Sequence, residues 1–169
     1  RHHRILCPPN SAPRQGCQLT PAMPSTHSSL HYHLIFATKN REPMITSPWR
    51  AELHSYLGGV AKGLDAFPQG VGGVADHVHL LVSLKSTHCL ADFMRELKKS
   101  SSSWIRDSHL PSFQWQEGYA AFTVSASARE SVKQYIANQE EHHRVKSFRE
   151  ELIGFLKKSG VEYDERYLD

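Results

Sequence analysis

The chain has 169 residues, 39% of them hydrophobic and 22% charged, the make-up of one soluble globular domain with a proper core. No apolar run approaches the roughly 18–20 residues needed to span a bilayer, and Cys7, Cys17 and Cys89 form neither a metal-binding pair nor a disulfide framework, so a reducing, cytoplasmic setting is expected. The formal charge of +3 comes from Arg1, Arg4 and Arg14, because the rest of the chain is balanced; attraction to a polyanion must therefore come from where charges lie.

Residues 1–24 are Pro-rich and aperiodic, with no apolar stretch of the secretory kind, and read as a disordered leader ahead of a natural start at Met23. The globular part, residues 25–169, opens with a strand, His31-Tyr32-His33-Leu34-Ile35-Phe36-Ala37-Thr38, and a turn follows at Lys39–Pro43. Ser47-Pro48 starts a helix, with Ser47 as the expected N-cap, Trp49, Leu53, Tyr56, Leu57 and Val60 on its apolar face and Gly63 at its end. Ala66–Ala75 is Gly-rich and predicts a strand hairpinned to the next one, residues 77–84.

A second long helix is predicted over Thr87–Asp107, with Arg95, Lys98 and Lys99 along one side and the hydroxyl cluster Ser100–Ser103, including Ser102, after them. That side is either a solvated face or an edge that contacts nucleic-acid phosphates. Residues 113–124 read as one bent strand or two short ones, interrupted at Gly118. A third helix is expected over Ala128–His143 and a fourth over Phe148–Lys158, before an acidic, Tyr-containing tail. The order β-α-β-β-α-β-α-α predicts an α+β fold with helices packed on an antiparallel sheet.

Two places carry chemistry. In Asp76-His77-Val78-His79 the i, i+2 spacing on a strand sends both imidazoles to one face, which is half of a metal site or two surface histidines on an open sheet face. His31 and His33 repeat the pattern on the first strand. On the third helix Tyr135 and Gln139 are four residues apart, hence stacked one turn over the other. If that stripe lies over the histidines, Gln139 offers a carbonyl oxygen to a metal and Tyr135 a phenol to whatever the metal holds; otherwise Tyr135 is a core aromatic and Gln139 a polar edge residue.

His77-Val-His79 on a strand, Trp115-Gln-Glu-Gly-Tyr119 after it and Tyr135-x-x-x-Gln139 on a late helix together resemble the single-tyrosine HUH transposases of bacterial insertion sequences, the IS200-like transposases. The resemblance covers about residues 28–145 and includes the strand His31–Lys39. It implies a ferredoxin- or RRM-like HUH fold with a four- to five-stranded antiparallel sheet. It also implies His77, His79 and Gln139 as ligands of Mg²⁺ or Mn²⁺, and Tyr135 as nucleophile. The implied substrate is single-stranded DNA with hairpin ends, joined through a 5′-phosphotyrosyl intermediate. A homodimer in which subunits exchange the tyrosine helix is implied too, acting in the cytoplasm at the nucleoid. His142 or His143 could replace or supplement Gln139. The helix after residue 145 is similar to an extension in relatives associated with repeated extragenic palindromes. Two rival readings are a histidine-triad hydrolase, whose third His position holds Leu81 here, and a non-catalytic RNA-binding module using Phe36 as a stacking surface.

Overall fold

A computed structural model of the chain describes residues 27–164 and Leu168; the expected leader lies outside the described residues. The strands are β1 (His31–Ala37), β2 (Phe67–Gly73), β3 (His77–Ser83) and β4 (Ala120–Thr123). The helices are α1 (Ser47–Gly63), α2 (Leu90–Ser108), α3 (Arg129–Ala137), the single turn α4 (Gln139–His142) and α5 (Phe148–Lys158). All strand pairings are antiparallel, in the order β2-β3-β1-β4, so the fold is α+β as expected.

Period-two alternation divides the side chains of the two central strands between the faces. Leu34, Phe36, Val78, Leu80 and Val82 point to one face and are sealed by α1 and α2 through Trp49, Leu53, Leu57, Phe93, Met94, Leu97 and Ile105. Burying each such side chain stabilises the fold by about 1.5–3 kcal/mol, so this face is the main core. His33, Ile35, His77 and His79 point to the other face, and α3, α4 and α5 lie over it. There Ile35, Phe122, Phe148 and Leu156 form a smaller apolar cluster. In the register, His79 stands between Ile35 of β1 and Gly72 of β2.

Several boundaries differ from expectation. Thr46, not Ser47, is the N-cap residue of α1, and Pro48 sits in the first turn, where its missing N–H costs nothing. Helix α2 begins at Leu90, since Ser86-Thr87 is taken by a turn. Of residues 113–124 only Ala120–Thr123 is strand; Trp115 makes an isolated bridge to Thr38. The third helix breaks at Asn138, whose φ of −100° and ψ of 22° leave the helical region while its N–H caps the carbonyls of Gln134 and Tyr135. Asparagine readily ends helices because its side chain competes for local backbone groups. Phe36 is buried under the first helix layer, and helices cover both faces of the sheet, which removes the open aromatic surface that an RNA-binding module of this shape needs.

Candidate active site

His77 and His79 do not lie on an open sheet face. Both are 0% exposed, because α5 and the turn α4 cover them. Each has its Nδ1 engaged. That of His77 donates to Asp76 Oδ1 at 2.7 Å, and Asp76 is held in turn by Arg41. Burial alone would raise the Asp76 carboxyl, but hydrogen bonds from His77 and Arg41 carry it down to about 2. His79 Nδ1 meets His33 Nε2 at 2.8 Å, and burial lowers His33 to about 4, so that contact joins two neutral rings. When His79 donates, its Nε2 is left bare. Burial, and then the neighbouring His77, push His79 well below the ordinary histidine range. Engaged Nδ1 atoms with free Nε2 atoms are the arrangement that fixes imidazoles as metal ligands.

The Nε2 atoms converge on a residue that the sequence did not single out. Glu151 projects from α5 into the cluster and is 2% exposed. Its Oε2 lies 3.4 Å from His143 Nε2, 3.5 Å from His79 Nε2 and 3.9 Å from His77 Nε2. His77 Nε2, His79 Nε2 and Glu151 Oε2 are all buried without a hydrogen-bond partner among the described residues, although unpaired buried polar atoms are costly. One donor atom from each of His77, His79, His143 and Glu151 falls within 4.8 Å of the others. A divalent cation fits this donor set, since it would satisfy the orphaned atoms together. Without one, burial drives the Glu151 carboxyl up to about 8.

Gln139, expected to offer its oxygen to a metal, is buried beside this group with its amide engaged. Its Nε2 donates to Glu151 Oε1 at 3.2 Å, and its Oε1 lies 3.0 Å from His143 Nε2. His143 Nδ1 donates to the Lys146 carbonyl at 2.9 Å, so a neutral His143 turns a bare Nε2 toward a carbonyl oxygen. Two facing acceptors are resolved by a cation near both or by rotation of the amide. The open choice between Gln139 and His143 thus becomes a joint arrangement with Glu151. Sequence gave no direct signal for Glu151, which on an amphipathic helix reads as part of a solvated face. Only the capping box of Ser147 and Glu150, which fixes where α5 begins, could have narrowed the search.

Tyr135 stands against His79 of that set, with His33 and His142 beside it, within one chain. Its ring centroid is 6.0 Å from that of His79, 6.2 Å from His33 and 5.0 Å from His142. Its hydroxyl is buried and has no hydrogen-bond partner among the described residues. No exchange of α3 between subunits is needed to bring the two halves together. His31 turns elsewhere, to Ser83 and Ser29.

The basic cluster on α2 lies across the sheet from the histidines. Arg95 is exposed and pairs with Asp92 and Glu96; Lys99 reaches Glu96 at 4.0 Å. Lys98 donates to the carbonyls of Gln116, Glu117 and Gly118, so it clamps that turn, and Ser102 is nearly covered.

Residues 26–139 match the family described as "Transposase IS200 like". Over 119 residues the chain is 29% identical to the ISDra2 transposase TnpA of Deinococcus radiodurans, covering 65% of this chain and 84% of that protein. Among solved structures it is similar to a putative transposase from Deinococcus radiodurans R1. That likeness has 28% identity and a TM-score of 0.55, over 68% of this chain and 95% of that one. A REP-associated tyrosine transposase bound to a REP hairpin shares the fold. Its TM-score is 0.53 at 14% identity, over 72% of this chain and 74% of that one.

Proposed function

The chain belongs to the IS200-like transposase family, and we propose that it cleaves and rejoins hairpin-flanked single-stranded DNA with Tyr135 as nucleophile. The observation that carries this reading is the Tyr135 ring set against His79, with its hydroxyl buried and, among the described residues, unpartnered. Tyr135 Oη attacks the phosphorus of a phosphodiester and the bond to the 3′-oxygen breaks. The 5′-phosphate stays on the tyrosine, and the 3′-oxygen leaves as a hydroxyl once it takes up a proton. Attack by a 3′-hydroxyl on the phosphotyrosine reverses the step and restores the phenol, so rejoining needs no nucleotide cofactor.

His77 and His79 would hold a divalent cation with Glu151, and Gln139 and His143 complete or orient that set. The cation supplies charge neutralisation at the phosphate. Mg²⁺ and Mn²⁺ are the candidates, and a set with two or three imidazoles favours Mn²⁺ over the harder Mg²⁺. Asp76 and Arg41 keep His77 oriented, and His33 does the same for His79. Both Nε2 atoms and the tyrosine oxygen are buried, so a strand can enter only when α4 and α5 lift. For the hairpin, Arg95 and Lys99 are the exposed phosphate contacts of this reading, with Lys98 and Ser102 shaping the edge beside them. Action in the cytoplasm at the nucleoid, as a homodimer, completes the proposal.

The test is a labelled hairpin substrate with a single-stranded cleavage site, run on a denaturing gel. Wild type with Mn²⁺ should give a protein–DNA adduct. Tyr135→Phe should bind the hairpin and keep its melting temperature, because the lost hydroxyl has no partner, yet give no adduct. An adduct from Tyr135→Phe would overturn the assignment.

A further inference from the structure

Helix α3 lies directly on β2, and at one residue of that strand the helix itself leaves no room for a side chain. A Cβ built on Gly72 would stand 2.2 Å from the carbonyl oxygen of Ile136 and 2.9 Å from its Cγ2. Ile136 is the residue after Tyr135 and the buried anchor of α3. Gly72 is in turn the register partner of His79, on the same face of the sheet. The missing side chain therefore opens a notch beside the histidine, and the helix seats its backbone there. Two residues earlier on the same face, a Cβ on Gly70 would meet only Lys133 Cγ, at an ordinary 3.5 Å. The close approach is confined to the position level with the site.

We propose that Gly72 is a positioning residue: its bare Cα sets the depth at which Tyr135 stands against His79. The inference rests on the assignment of Tyr135 as nucleophile. The obstructing atom is backbone, so no rotamer change relieves it, and a methyl group at 72 must lift the end of α3 by about 1 Å to regain normal contact. A misplacement of that size at a reacting atom costs on the order of 10²-fold in rate. The exchange is otherwise favourable to the strand, where Gly is a weak residue, so a lost rate would not reflect a weakened sheet.

The experiment compares wild type, Gly72→Ala and Gly70→Ala, each loaded with Mn²⁺. Three readouts are taken: the single-turnover rate of adduct formation, hairpin affinity, and hydrogen exchange of residues 129–137. Gly72→Ala should form adduct about 100-fold more slowly, with hairpin affinity within about twofold of wild type and faster exchange confined to α3. Gly70→Ala should match wild type within about twofold in all three. An undiminished rate in Gly72→Ala, or an equal loss in Gly70→Ala, would overturn the proposal. So would failure of Gly72→Ala to fold, since the glycine would then serve the sheet and not the tyrosine. If wild type itself forms no adduct, the functional reading fails separately, and unchanged exchange in α3 of Gly72→Ala still decides against the notch.

Discussion

Glu151 holds a carboxyl among imidazole nitrogens where water does not reach it, and its protonation is therefore tied to folding. Its folded value of about 8 lies above the ordinary 4.5, so the folded state prefers the protonated acid. That preference stabilises the metal-free protein below about pH 4.5 and is lost as pH rises through about 8. Neutral buried histidines work the other way, since His33 and His143, lowered to about 4, destabilise the fold as pH falls. The clean measurement is thus a difference: the melting temperature of metal-free Glu151→Gln minus that of wild type should grow from pH 5 to pH 8. A constant difference would show that the carboxyl is not buried as drawn. In calorimetry with Mn²⁺ at pH 8, the same variant should bind at least about tenfold more weakly. At this scale the His77–His79 pair was legible because a strand sends i and i+2 to one face. Glu151 was not, since pairing it with His77 depends on where a distant amphipathic helix docks.

Helix α5 is the element that closes the site. Phe148 lies 4.6 Å from the His77 ring and under the Arg41 guanidinium at 3.9 Å, while Leu156 anchors the far end in the cluster with Ile35 and Phe122. Its start is fixed by the reciprocal hydrogen bonds of Ser147 and Glu150. Ser147→Ala removes one half of that box and should cost about 1 kcal/mol in urea unfolding, with exchange rising first in residues 148–158. An unchanged midpoint would show that α5 is held by packing alone. The extent of α1 could be read to within a residue from Pro48, Gly63 and apolar spacing, although its cap is Thr46 and not Ser47, and that of α5 from the Ser147 cap and apolar spacing. The break at Asn138 could not, because Gln139–His142 keeps helical composition and only docking against Glu151 and His143 shows where the chain turns. Tyr135 and Gln139, expected one turn apart on a single helix, stand on two pieces of helix, Tyr135 against His79 and Gln139 against Glu151.

For the whole molecule, the sheet separates the histidine cluster from the basic side of α2. One face holds the histidines, Glu151 and Tyr135; beyond the other lies α2 with Arg95 and Lys99. Sequence gave the element order and the α+β class, because alternation in β1 and β3 and helical spacing in α1 and α2 agree with the final packing. It did not show that α3 lies on β2 of its own chain, where its Ile136 carbonyl approaches the bare Cα of Gly72. A site completed within one chain predicts the outcome of subunit mixing, even in a homodimer. His77→Ala/His79→Ala chains co-expressed with Tyr135→Phe chains should give no adduct, because each site lacks a component. Recovery of cleavage in verified mixed dimers would mean that the tyrosine helix is exchanged.

Whether Tyr135 carries the DNA is decided by locating the covalent link itself. Wild-type protein with Mn²⁺ and hairpin substrate should be denatured, digested with nuclease and trypsin, and analysed by mass spectrometry. With Tyr135 as nucleophile, a 5′-linked nucleotide should appear on the peptide running from Gln134 to Arg144, on its single tyrosine. A nucleotide on a peptide containing Tyr119 or Tyr163, with the Gln134–Arg144 peptide unmodified, would contradict it.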